Sequence, residues 1–157
     1  MIGRVLERLD FPMTILTTAH GTDRSGCLAG FGTQCSIHPA RWLACVSKTN
    51  HTHGVAARAE ALIVHFLHDD QHDLAVLFGH ETDDTTDKFA RCKWRPGPFG
   101  IPLIDGCDWV AGRVVERIDL GDHTGHLLDI TNAGNEHPDG PALGFQAARD
   151  IRPGHPP

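Results

Sequence analysis

The sequence predicts an α+β protein that is mainly β, an antiparallel barrel interrupted by short helical insertions. Three observations point there. Short runs rich in apolar and β-branched residues recur at close spacing along the chain. Seventeen glycines and ten prolines supply breaks between those runs. Helical spacing of apolar residues appears only in brief stretches between some of the strands.

Ile2, Val5, Leu6 and Leu9 fall at helical spacing, so residues 2–9 are expected to form a short amphipathic helix ending before Pro12. Residues 13–19 (MTILTTA) read as a strand, and residues 20–26 (HGTDRSG) as turn chemistry. The returning strand of that hairpin spans 27–35 and contains Gly30 and Gly32, which weaken it and admit close approach to the backbone. Pro39 marks a break before a largely buried strand at 41–46. The polar stretch 47–52 leads into a helix expected over 52–60, and 62–67 is another strand. Asp69 or Asp70 can cap a helix carrying Leu74, Leu77 and Phe78, with Gly79 at its C-terminal end. Residues 80–87 are polar and acidic, and 87–90 read as a second short helix. The segment 94–102 (WRPGPFGIP) is too rich in proline and glycine to be regular and reads as a loop. Strands at 109–118 and 126–131 flank the turn 119–125, and one more strand is expected near 142–146. With no internal repeat or low-complexity tract, residues 1–157 read as a single domain, its core at about 11–136 and a proline-rich tail at 137–157.

Composition excludes several functions. Fourteen Lys+Arg against twenty Asp+Glu give a net charge of −6, unlike an electrostatic binder of nucleic acid. The longest apolar run, 42–46, is far shorter than the roughly 18–20 residues of a membrane helix. No charged segment followed by an apolar one opens the chain, so a cytoplasmic protein is expected. The five cysteines form no C-x-x-C pair and read as reduced thiols. Cys35 has no base at a telling spacing that would make it a nucleophile.

Three segments could carry chemistry, each with a plainer reading beside it. At 47–52 an apolar strand gives way to a helix, where amides and the helix dipole favour an anion. Ser47, Lys48, Asn50 and Thr52 could seat a phosphate there, or the stretch could simply cap the helix. Gly30, Phe31, Gly32, Thr33 and Gln34 could expose backbone to a flat ligand, or form a barrel bend. Gly121, Asp122, His123 and Thr124 suit a turn, or could place His123 at a pocket mouth as a donor to a redox cofactor or an amide. Twelve histidines invite a metal reading. His65, His68 and His72, spread over a strand and a helix, are not expected to converge, nor is the His51–His53 pair alone enough, so no metal site is expected.

Taken in order, these segments resemble the flavin reductase family, whose members have the FMN-binding split-barrel fold. The resemblance runs from about residue 11 to 154. It is carried by 14–18 (TILTT), by 33–39 (TQCSIHP) in place of the family's S-L-x-P-P strand end, by 45–52 (CVSKTNHT), by Lys88-Phe89, by 100–106 (GIPLIDG) and by the Gly-Asp-His-Thr run at 121–124. The family often has serines where this chain has Gly30 and Phe31, and Ala40 replaces a second proline. The resemblance implies a homodimer with FMN, or FAD, in a groove at the interface. It implies that Gly30, Phe31, Gly32 and Thr33 flank the flavin ring and ribityl chain. Ser47, Lys48, Asn50 and Thr52 would hold the phosphate with Lys88 nearby. Gly121, Asp122, His123 and Thr124 would face the nicotinamide, His123 and Asp122 being the residues that position it for catalysis. The implied activity is hydride transfer from NADH or NADPH to flavin, with reduced flavin passed to a partner monooxygenase. The alternatives are a flavin carrier or electron-transfer module without turnover, and a metal or heme protein on the same barrel.

Overall fold

A computed structural model describes residues 1–80, 87–137 and 139–151. The strands are β1 (Thr14–His20), β2 (Asp23–Ala29), β3 (Gly32–Ser36), β4 (Arg41–Ser47), β5 (Ala61–Phe66), β6 (Trp94–Pro96), β7 (Pro102–Ile104), β8 (Asp108–Asp119) and β9 (His123–Gly134). The helices are α1 (Ile2–Leu6), α2 (His51–Ala56), α3 (His72–His80) and α4 (Phe145–Ala148). Seven strands form one antiparallel sheet in the order β2-β1-β5-β8-β9-β4-β3, and β6 pairs with β7. The mainly antiparallel α+β expectation is therefore met. The two edge strands, β2 and β3, are consecutive in the chain and joined only by Gly30 and Phe31. The Cys45 amide of β4 donates to the Phe31 carbonyl (3.0 Å), carrying the β3–β4 pairing into that junction.

One face of the sheet packs Leu16, Cys27, Ala44, Val46, Leu62, Val64 and Leu128 together. The other face is covered by the β6–β7 hairpin through Ile63, Ile101, Leu103 and Ala111. A third cluster joins Met13, Ile15 and Leu67 to Phe78, Phe89, Ile104 and Leu143, fastening α3 and the C-terminal segment.

Several expectations are corrected. The strand expected at 27–35 is two strands, because the chain bends at Gly30–Phe31. Only Gly21 and Thr22 separate β1 from β2, since Asp23–Ser25 pair with Thr18–His20. The loop expected at 94–102 contains a hairpin whose prolines pair at its end, Pro96 opposite Pro102, where no ladder needs their missing N–H. A turn at His68 with Gln71, rather than Asp69 or Asp70, opens the helical segment, and Gly79 lies inside α3. Residues 142–146 form no strand: Ala142 and Gly144 make single bridges, and α4 follows. The helix at the N-terminus is present, yet Ile2, Val5, Leu6 and Leu9 are all more than half exposed. The polar segment 81–86 and the tail beyond 151 lie outside the described residues.

His65 is a buried latch. The Ile104 N–H donates to its Nε2 and its Nδ1–H donates to the Ile15 carbonyl, both at 3.0 Å, pinning β7 against β5 and β1. Both ring nitrogens are committed to the neutral form, and burial lowers its pKa to about 4. The unfolded chain protonates first as pH falls from about 6.5, so this stability is full above that pH and is lost progressively toward pH 4. The loss is on the order of 3 kcal/mol. Urea unfolding of wild type and His65→Gln at pH 7, 6, 5 and 4 should show a stability gap that closes or reverses with acid in wild type relative to the variant.

Candidate functional site

A cleft of about 380 Å³ opens beside the β2–β3 junction. Its floor is the end of β2 (Cys27, Leu28, Ala29) with Gly30, its sides are Cys45, Val46 and Met13, and its rim carries Phe11, Phe31 and Phe145. Ser47, Asn50 and His123 contribute its polar groups. A mostly apolar hollow with a few convergent polar groups suits a flat organic ligand.

Topology explains the convergence. β4 pairs with β9 so that Ser47 lies opposite His123, the first residue of that strand. The β8–β9 turn is tight because Gly121 adopts φ +123°, a conformation that side chains rarely allow. The Lys48 N–H donates to the Asp122 carbonyl, clamping this turn to the end of β4 (2.9 Å). His123 Nδ1 bonds Asp122 Oδ1 at 2.7 Å, and this contact holds the Asp122 carboxyl below the usual carboxylate range. At Gly30 a Cβ would sit 3.1 Å from the Phe11 ring and 3.3 Å from the Met13 sulfur, so glycine is what lets those side chains pack down against the floor.

Of the expected site residues, Gly30, Phe31, Ser47, Asn50 and His123 line the cleft together. Others do not. Gly32 packs against Trp42, and the exposed Thr33 bonds the neighbouring Gln34 carbonyl. Thr52 is buried and shares a hydrogen bond with Ser25 (2.8 Å), tying α2 to β2. Thr124 bonds His53, and Lys48 pairs with Asp119 at 2.7 Å. Lys88 is 2% exposed, and its amine donates to the carbonyls of Gly26 (2.9 Å) and Phe78 (3.3 Å).

The amides expected to attract an anion are mostly occupied. Asn50 is the N-cap of α2, its side chain accepting from Thr52 N–H (2.9 Å). Thr49 N–H reaches Ser47 Oγ (3.4 Å), while Asn50 and His53 N–H reach the Ser47 and Asn50 carbonyls. What this corner offers a ligand is side-chain donors, the Ser47 hydroxyl and the Asn50 amide.

The histidines serve separate contacts. His65 is the latch described above, whereas His68 stacks on His137 at 3.8 Å and bonds Asp108. Among the described residues no cluster of three His, Cys, Asp or Glu is arranged to hold a metal. Sequence reasoning missed Phe11, Met13, Cys27, Leu28, Cys45 and Phe145. Nothing in local spacing marks them, because the C-terminal segment brings Phe145 onto Phe11 from the far end of the chain.

Fold and cleft thus define an antiparallel-sheet protein with a mostly apolar cleft beside the β2–β3 junction. The chain belongs to the flavin reductase like domain family, whose profile matches residues 6–152. It is 30% identical over 128 residues to the reductase component of a flavin-dependent trigonelline monooxygenase from Acinetobacter baylyi, covering 78% of this chain and 40% of that one. It is 31% identical over 101 residues to the FMN reductase (NADH) RutF of Stutzerimonas stutzeri, covering 64% and 58%. Overall, the chain spans about half the length of the curated relatives it matches. Among solved structures, the NADH:FAD oxidoreductase SgcE6 of Streptomyces globisporus, in complex with NAD and FAD fragments, superposes with a TM-score of 0.82 at 26% identity, covering 94% of this chain and 88% of that one. A flavin reductase domain protein from Arthrobacter shares the fold, with a TM-score of 0.83 at 19% identity and coverage of 93% and 89%.

Proposed function

We propose that this chain is a flavin reductase: it takes a hydride from NADH or NADPH, passes it to FMN or FAD, and supplies reduced flavin to a partner monooxygenase. The observation that carries the reading is the convergence of Gly30, Ser47, Asn50 and His123 on one cleft. The lining fits a flavin, with apolar walls for a flat ring, a glycine floor and hydroxyl and amide donors toward a phosphate. Bound flavin supplies the hydride acceptor; the chain supplies orientation and surroundings. Ser47 and Asn50 hold the phosphate end. The Nδ1–H of His123 donates to Asp122, so Nε2 is left for the carboxamide of the reductant, and hydride transfer itself asks for no acid or base. Lys48, neutralised by Asp119, sits at the outer edge of this corner.

This reading includes a split barrel closed at the β2–β3 junction, a single domain and a cytoplasmic homodimer. The exposed apolar side chains of α1 support the dimer, since a second copy would remove them from water. No helix among the described residues is long and apolar enough to cross a membrane.

The test is flavin titration followed by steady-state oxidation of NADH and NADPH with added FMN. Tight flavin binding with negligible turnover would favour a carrier. Asn50→Asp sharpens the test, because aspartate caps helices as well as asparagine does. It should keep stability while weakening FMN roughly tenfold through repulsion of the phosphate. Riboflavin, which lacks the phosphate, should bind both proteins alike.

A further inference from the structure

The rim of the cleft is a chain of rings. Phe145 stacks on Phe11 with centroids 4.8 Å apart and planes 24° apart. Phe11 meets Phe31 edge-on at 6.1 Å, and Phe31 lies 5.0 Å from the His123 ring. Phe31 differs from the rest: it is 55% exposed, although it lines the cleft, whereas Phe11 and Phe145 are half-buried. Its backbone is fixed by the Cys45 hydrogen bond, so its exposure is not that of a loose loop. Folding leaves a large apolar ring in water at the mouth, next to the one histidine of the lining.

We infer that Phe31 is a binding residue for the reductant: with His123 it forms a shelf on which the nicotinamide ring stacks. This rests on the flavin reductase reading. The flavin, which must be seated before it can be reduced, meets the inner lining of Ala29, Gly30, Cys45 and Val46. The reductant, which must lie over the seated flavin, meets the solvent side, where Phe31 stands. Stacking there covers apolar surface that folding leaves exposed and holds the donor over the cleft.

The test compares Phe31→Ala, Phe31→Leu and Phe31→Trp with wild type. It uses three readouts: KM for NADH and NADPH, the dissociation constant of NAD⁺ for the flavin-loaded oxidised protein, and the dissociation constant of FMN. Phe31→Ala should raise KM and weaken NAD⁺ by about two- to tenfold, the size of one aromatic stacking contact, with FMN affinity within about twofold. Phe31→Leu, apolar but without a ring, should stay impaired, and Phe31→Trp should restore both values. Unchanged NAD⁺ binding in Phe31→Ala would overturn the inference, as would full recovery with leucine. So would an equal loss of FMN affinity, which would make the ring part of the flavin seat. A changed oligomeric state on sedimentation would instead assign Phe31 to contact between two copies and also overturn it. Wild-type protein that takes up no flavin would overturn the flavin reductase reading itself, a result visible before any variant is made.

Discussion

Replacing His123 with alanine should lower kcat/KM for the reduced nicotinamide by about 10- to 100-fold while changing flavin affinity by less than about threefold. The imidazole is held from two sides, its Nδ1 bonded to Asp122 and its ring packed against Phe31, while the His123 backbone carbonyl accepts from Leu120 N–H. A group fixed in this way can orient a ligand without rearranging, and that is the contribution hydride transfer asks of the protein. Asp122→Asn keeps an acceptor oxygen but removes the charge, so it should cost less, roughly three- to tenfold. Stopped-flow reduction under anaerobic conditions separates this step from flavin release. Unchanged rates in His123→Ala would remove His123 from the positioning role.

The second large effect concerns stability. Lys88→Met keeps most of the side-chain volume but leaves the Gly26 and Phe78 carbonyls without that amine as donor. Buried polar groups deprived of a partner cost about 1–3 kcal/mol each, so a loss of roughly 2–4 kcal/mol is expected. For a chain of this size that is a fall in Tm of about 5–12 °C. FMN affinity, measured well below the new Tm, should be unaltered. The opposite pattern, with Tm preserved and FMN affinity lost, would return Lys88 to the phosphate.

Lys88 also shows what a sequence can and cannot disclose. Its place in the family order is legible, but a lysine beside a phenylalanine says nothing about whether its amine faces a ligand or two distant carbonyls. The strands β1, β4, β5, β8 and β9 are legible because their apolar and β-branched residues are continuous or alternate. The β2–β3 break is not, because glycine is equally at home in a weak strand and in a bend. The β6–β7 hairpin hides behind prolines placed where no hydrogen bond is needed. At 142–146 an apolar run reads as a strand, yet its amides go to Leu67 and Phe11 as single bonds and the chain then turns into α4. In the site, Ser47, Asn50 and His123 are legible from their positions at element ends. The amides around Asn50 are committed within the turn, which composition cannot reveal. Phe11 and Phe145 meet only through the tertiary path of the two termini.

On the proposed reading this cleft takes a flavin and leaves one side open to a reductant. Calorimetric titration of the purified chain with FMN and with FAD tests it most directly. Saturable uptake of one flavin per chain is expected for at least one of the two, followed by bleaching of the bound flavin's visible absorption when NADH or NADPH is added without oxygen. No uptake of either flavin, or uptake followed by no bleaching with either donor, would contradict it.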